Sequence, residues 1–215
     1  MKDIAIYGAG GFGREVSCLI NDINKANPQW NLIGFFDDNP LKKGLMISHY
    51  GPCLGGLDVL NSYPKELAVV FAIGFSKTSH ELYERINNPN VSFPNIIHPN
   101  IVLNDPQTFK IGKGNVIQAN CIMSCDVSIG DFNVLNGSVV FGHDVKIGSF
   151  NSIMPGVRLS GGVTLGNSNF LGVNSVVLQN IKIGSKVTIA AGGILMTKPK
   201  DGGLYMGNPA KKTDF

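Results

Sequence analysis

The sequence predicts two folds in tandem: a small Rossmann-like α/β domain over residues 1–96, followed by a parallel β-solenoid over residues 97–215. Three observations predict this. An apolar residue recurs every six positions through the second half, a G-x-G-x-x-G loop joins a strand to a helix near the start, and the composition is rich in turn formers. Glycine accounts for 27 of 215 residues and charged residues for only 15%, against roughly 7% and 25% in an average globular chain. Disordered chains and charged helical bundles do not have that balance. Hydrophobic residues at 43% supply a sizeable core.

In the first domain, Ile4–Tyr7 reads as a short buried strand, Arg14–Asn24 as a helix, Leu32–Phe36 as a second strand and Ala68–Ile73 as a third. Gly8-Ala9-Gly10-Gly11-Phe12-Gly13 lies between the first strand and the first helix. In that context, backbone N–H groups at the helix N-terminus are placed to hold a phosphate. The second strand runs into Asp37 and Asp38, whose carboxylates can accept hydrogen bonds from a ribose or a base edge. Two other readings of the loop stay open. A dinucleotide-dependent oxidoreductase uses the same fingerprint, but fewer than a hundred residues supply about half of its usual sheet. Glycines at these positions also serve close strand-to-helix packing with no ligand.

In the second half, Ile111, Ile117, Met123, Ile129, Leu135, Phe141, Ile147, Ile153, Leu159, Leu165, Leu171, Val177, Ile183, Ile189 and Leu195 follow one another at intervals of six. A longer beat lies over this one: Phe109–Gly112 recurs as Val127–Gly130, Val145–Gly148, Val163–Gly166 and Ile181–Gly184, always 18 residues on. Six matches neither the 3.6 period of a helix nor simple strand alternation. It matches a triangular coil with three flat sides, each sending one aliphatic to the axis, with small residues at the corners. About five coils from roughly residue 105 to 196, stacked at the 4.8 Å strand spacing, make a continuous interior.

Among the histidines, His49, His80 and His98 lie outside the repeat, whereas His143 interrupts it in Phe141-Gly142-His143-Asp144. Its place, two residues after an inward position, puts the ring at a corner outside the prism. Histidine, with an ordinary pKa near 6.5, is suited to act as a base at neutral pH, and a neighbouring carboxylate would orient it. Neighbours in an extended strand point to opposite faces, so Asp144 reaches the ring only if a turn brings the two together. A solvated corner histidine is the plain alternative.

The net charge of +3, without any basic run, argues against a nucleic-acid partner. The N-terminus has no signal-peptide core and no apolar run is long enough to span a membrane, which points to the cytoplasm. Cys18, Cys53, Cys121 and Cys125 contain no CxxC pair and no nearby histidine, so they read as free thiols, with no metal site expected.

The hexad rhythm and the ending Gly207-Asn208-Pro209-Ala210-Lys211 resemble the hexapeptide-repeat acyltransferases, which fold as left-handed parallel β-helices and usually form trimers with acyl-CoA between neighbouring prisms. The order of Gly-rich α/β domain, hexapeptide helix and closing tail is similar to bacterial sugar acyltransferases: the bacillosamine-pathway and perosamine N-acetyltransferases and the sialic acid O-acetyltransferase group. That resemblance implies an acetyl-CoA-dependent enzyme in surface-glycan biosynthesis that acetylates a nucleotide-linked amino sugar. Sialic-acid-type O-acetylation, or a non-catalytic nucleotide-sugar-binding scaffold, are its alternatives. By resemblance, His143 is the general base with Asp144 beside it, and Gly161 donates its N–H to the oxyanion. CoA would touch Ser152, Val173 and Ala191, with Gly172 leaving room for the pantetheine arm. Lys198, Lys200, Lys211 and Lys212 either draw the CoA phosphates or merely solubilise the tail. The nucleotide sugar would be held by Gly10, Gly11, Phe12, Asp37, Asp38 and Gly74; several relatives have His where this chain has Phe12. A γ-class carbonic anhydrase on the same helix would need three histidine ligands on the solenoid, which has only His143.

Overall fold

The computed structural model describes residues 1–213; Asp214 and Phe215, at the end of the expected solenoid domain, lie outside the described residues. Contacts divide the chain into two compact units, Met1–Pro99 and the residues from Asn100 onward.

The first unit is built on strands β1 (Lys2–Tyr7), β2 (Trp30–Phe36), β3 (Met46–Ile47), β4 (Gly51–Gly55), β5 (Leu67–Phe71) and β6 (Val91–Ser92), with helices α1 (Gly11–Ala26), α2 (Leu57–Asn61) and α3 (Ser76–Arg85). The sheet order is β3-β4-β2-β1-β5-β6, parallel except for the β3–β4 pair. Ile4, Ala5 and Ile6 of β1 are wholly buried, as befits a central strand covered on both faces. α1 begins three residues earlier than its apolar spacing indicated and buries Gly13, Val16, Ser17, Leu19, Ile20 and Ile23, the stripe of a helix lying on a sheet. Chain order reverses at β1, with β2 on one side and β5 on the other. The crevice outside the carboxyl ends of β1 and β5 is therefore a topological switch point, where open α/β sheets bind ligands.

The second unit is a left-handed parallel β-helix. Each of the fifteen inward positions named above is the second residue of a two-residue strand, from Lys110–Ile111 to Ile194–Leu195. All are buried except Ile111, on the first coil, which is half-buried. Successive coils pair in register: Val140 and Phe141 lie opposite Ile122 and Met123 on one side and Arg158 and Leu159 on the other. The coil starts earlier than the rhythm shows. Val102–Leu103 pairs with Ile122–Met123, twenty residues on, so the first coil carries two extra residues that hide it from a six-residue count.

Every sixth residue from Gly114 to Gly192 has positive φ, which turns each corner. Asparagine, aspartate and glycine tolerate that conformation, but Phe132 and Phe150 also adopt it, and their rings stack 5.2 Å apart on adjacent coils. A second device runs inside the prism. Asn115, Asn133, Asn151 and Asn169 are buried one above another. Each of the first three accepts on Oδ1 from the next one's backbone N–H and side-chain amide, at 2.8–3.0 Å. The ladder ends where Val187 N–H donates to Asn169 Oδ1. Backbone groups that the corners leave unpaired are thus satisfied by side chains. At the C-terminal end, Leu204–Met206 extends one face over Thr188–Ile189, and Lys211–Thr213 returns antiparallel to close it.

Candidate active site

The corner Gly142–Gly162 brings the three expected catalytic residues together. Asp144 has φ 58°, and its N–H is held by Cys125 O at 3.0 Å. That left-handed turn folds the Asp144 side chain back toward its neighbour, so Oδ2 lies 2.8 Å from His143 Nδ1. The turn supplies what an extended strand would not. Both side chains are more than half exposed. With Nδ1–H donating to the carboxylate, the tautomer assigned by this bond leaves the lone pair on Nε2.

The imidazole lies over Gly161 on the next coil. A Cβ at Gly161 would fall against Nε2 and 2.6 Å from Cε1, so only glycine lets the ring rest there. The Gly161 carbonyl accepts from Asn180 N–H at 3.0 Å, while its own N–H has no partner among the described residues. Next to it, Gly162 N–H holds the His143 carbonyl at 2.8 Å and fixes the two coils in register. The His143 ring, with its Nε2 lone pair, and the unpaired Gly161 N–H thus meet at one corner of the prism, and acyl transfer uses groups of these two kinds as base and oxyanion donor.

The residues expected to meet CoA lie elsewhere on the prism. Val173, 42% exposed, and Ala191 stand on a different edge, six residues along the coil from the His143 edge, a side of roughly 20 Å at 3.3 Å per residue. Ser152 is buried, with 3% of its surface exposed. Gly172 has a reason of its own for being glycine: a Cβ would meet Ala190 C at 2.8 Å and Ile189 O at 2.9 Å on the next coil, so the missing side chain admits backbone rather than leaving a vacant slot. Lys198 and Lys200 are exposed, as is Lys211 on the returning strand.

In the first unit the glycines of the loop separate by task. Gly13 packs on the Gly8 carbonyl and Gly8, at φ 117°, on the Ala72 carbonyl, so these two are required by the strand-to-helix contact. Gly10 and Gly11 have nothing closer than 4.0 Å around a would-be Cβ, and neither has positive φ. Gly10 precedes α1 as its cap and offers no side-chain hydrogen bond, the first turn holds no acidic residue, and Phe12 is half-buried within that turn. The first N–H groups of a helix have no partner within it, and a turn with no acidic side chain of its own favours an anion there.

Asp37 and Asp38 are both engaged. Asp37 accepts from Ala9 N–H (2.9 Å), Asn39 N–H (3.0 Å) and Lys42 Nζ (2.7 Å), so it braces the glycine loop. Burial alone would raise its carboxyl, but these hydrogen bonds, led by Lys42, outweigh burial and hold it below the ordinary carboxylate range. Asp38 Oδ1 accepts from Tyr7 OH (2.6 Å) and Leu57 N–H (2.9 Å). Burial, then the bond to Asp38, pushes the Tyr7 phenol far above its usual value. No motif marks Lys42 and Tyr7 as the partners of the acidic pair; the pairing of β1 with β2 brings Tyr7 there, and the turn after β2 brings Lys42. Beside the pair opens a cavity of about 590 Å³ lined by Pro40, Lys43, Gly56, Val59 and Arg85. A cavity of about 530 Å³, lined by Met1, Trp30 and Phe93 among others, lies at the opposite, amino ends of the strands and touches none of these groups.

Residues 3–86 match the model of the PglD N-terminal domain family. Over the whole chain, the fold superposes on PerB from Caulobacter crescentus, solved with CoA and GDP-perosamine, at a TM-score of 0.85 and 26% identity, covering 100% of this chain and 98% of that one. It superposes equally on the acetyltransferase domain of PglB from Neisseria gonorrhoeae, solved with acetyl coenzyme A, at 0.87 and 27%, covering 99% of both chains. WeeI from Acinetobacter baumannii, at 0.86, 24% identity and 99% and 100% coverage, shares the fold. With a PglD N-terminal domain followed by a left-handed β-helix, this chain has from end to end the build of the hexapeptide-repeat sugar acetyltransferases.

Proposed function

We propose that the protein transfers an acetyl group from acetyl-CoA to the amine of a nucleotide-linked amino sugar. The observation that carries this reading is the His143 ring, oriented by Asp144 and seated over the Gly161 amide. The amine attacks the thioester carbonyl carbon while His143 Nε2 takes its proton, and Asp144 stabilises the imidazolium. The carbonyl oxygen, now carrying the charge, accepts from Gly161 N–H. Collapse breaks the C–S bond, and the proton on Nε2 passes to the departing thiolate. Atoms and charges balance without a metal.

Support for the substrates comes from the solved relatives, of which one holds CoA with GDP-perosamine and another acetyl coenzyme A. In this chain the diphosphate would lie on the N–H groups of Gly10, Gly11 and Phe12, the base toward Asp37 and Asp38, and the sugar beyond Gly74. CoA would run along the Val173–Ala191 edge. Because a whole prism side separates that edge from His143, the acetyl donor and the base meet when an edge of a second copy faces the first, as in a homotrimer. The reaction belongs to the cytoplasm and to the assembly of surface glycans, where nucleotide sugars are used.

The test is thiol release from acetyl-CoA against UDP-, GDP- and dTDP-linked amino sugars and against free and CMP-linked sialic acid. Turnover with a nucleotide-linked amino sugar, giving an acetamido product by mass spectrometry, is the expected result. Turnover with sialic acid alone would replace N-acetylation by O-acetylation.

A further inference from the structure

Phe75 is the most exposed aromatic side chain of the core-building first unit, at 77%, and nothing in the fold requires it there. It leaves β5 at the switch point, directly after Gly74 and as the residue that opens α3. Gly74 repeats the pattern of Gly10 and Gly11 across the crevice: a Cβ there would meet nothing within 4 Å, and its φ does not call for glycine. The fold itself therefore demands glycine at none of these three positions, and all three follow the carboxyl ends of the neighbouring strands β1 and β5. β1 and β5 lie side by side, and Gly8 at the end of one packs on Ala72 at the end of the other.

The sheet order gives the crevice a scale. From β4 through β2 and β1 to β5 there are three strand spacings, roughly 14 Å, which is about the length of an extended nucleoside diphosphate sugar. The cavity of about 590 Å³ beside Asp37, Asp38 and Gly56 lies at the ends of β2 and β4. The uncapped start of α1 follows β1, and Phe75 follows β5. We propose that Phe75 is the platform for the hexose, its ring covering the C–H face of the sugar once the diphosphate rests on Gly10 and Gly11. This rests on the nucleotide-sugar reading of the same site and deepens it by naming the side chain that receives the hexose beyond Gly74. Phe75 is a positioning and specificity residue; it touches no reacting atom.

Covering one face of the ring removes roughly 55 Å² of apolar surface from water, worth about a tenfold change in affinity. The experiment is calorimetric titration of the full chain, wild type, Phe75→Ala and Phe75→Trp, with UDP and GDP and with their 4-amino-sugar conjugates. Expected is a Phe75→Ala variant that binds the free diphosphate as the wild type does, binds the conjugate about tenfold more weakly and melts at the wild-type temperature, with Phe75→Trp restoring the conjugate. Equal weakening of diphosphate and conjugate would place the ring on the base or phosphate and overturn the proposal, as would no change in either. A wild-type chain that binds none of these ligands overturns the nucleotide-sugar reading itself, an outcome separate from the other two.

Discussion

Replacing Gly161 by alanine tests the way His143 is seated. The new Cβ would fall against the imidazole Nε2 and 2.6 Å from Cε1, a separation that real side chains do not sustain. To restore ordinary contact near 3.5 Å the ring must retreat by about 1 Å. The imidazole is solvent-exposed at 57% and hinged at χ1, so it is the part that gives way. A displacement of about 1 Å in a reacting group costs roughly 10²-fold in rate, or about 2.7 kcal/mol of transition-state stabilisation. The fold loses little, because a surface side chain that swings into water costs within about 0.5 kcal/mol. Gly142→Ala is the contrasting control: its Cβ would meet Gly161 N at 2.7 Å and Ser160 C at 3.0 Å, both backbone, which cannot swing aside. That variant is expected to lose about 1–3 kcal/mol of stability by overpacking between coils. The assay pairs thiol-release turnover with thermal melting. A Gly161→Ala protein with turnover within about threefold of wild type, or one destabilised as much as Gly142→Ala, would refute the reasoning.

Asp144→Asn keeps the shape of the turn but replaces the carboxylate at His143 Nδ1; turnover is expected to fall about 10- to 100-fold with melting unchanged, and full activity would deny Asp144 its orienting part. Asn151→Leu deprives two buried donors of Asn169 of their acceptor, at about 1–3 kcal/mol each, so urea denaturation should show a loss of about 2–6 kcal/mol; a loss below about 1 kcal/mol would mean that the ladder is dispensable. Asp37, whose folded carboxyl lies below its unfolded value of about 3.9, stabilises the first unit fully above that pH, and the contribution is lost as pH falls through the folded value. Denaturation midpoints taken from neutral to acid pH should therefore drop less for Asp37→Asn than for wild type; parallel curves would contradict this.

Much of the second unit was legible because one interval does all the work. A coil that buries one aliphatic per side writes its period directly into the chain, and every inward position from Ile111 to Leu195 is where the six-residue count puts it. Leu103 was hidden by the two extra residues of the first coil, which shift the rhythm without breaking the pairing. The asparagine ladder was in plain view at intervals of 18, but polar residues at corners read as turn formers until their burial is known. In the site, the proximity of Asp144 to His143 turned on a single positive φ, which spacing does not reveal. The glycine loop carried three readings: a phosphate site, a dinucleotide fingerprint and strand-to-helix packing. The geometry gives packing to Gly8 and Gly13 and open space around a would-be Cβ to Gly10 and Gly11, a division within one motif that the spacing does not reveal. Phe75 carried no motif, since its interest lies in exposure at a strand end, a property of topology rather than of sequence.

The central claim is that the His143 imidazole removes the acceptor's proton. It is tested most directly by His143→Ala, measured for thiol release from acetyl-CoA in the presence of the nucleotide-linked amino sugar that the wild type turns over. The account predicts turnover lower by at least about 10², with melting temperature and nucleotide-sugar binding retained. Near-normal turnover in that variant would contradict it.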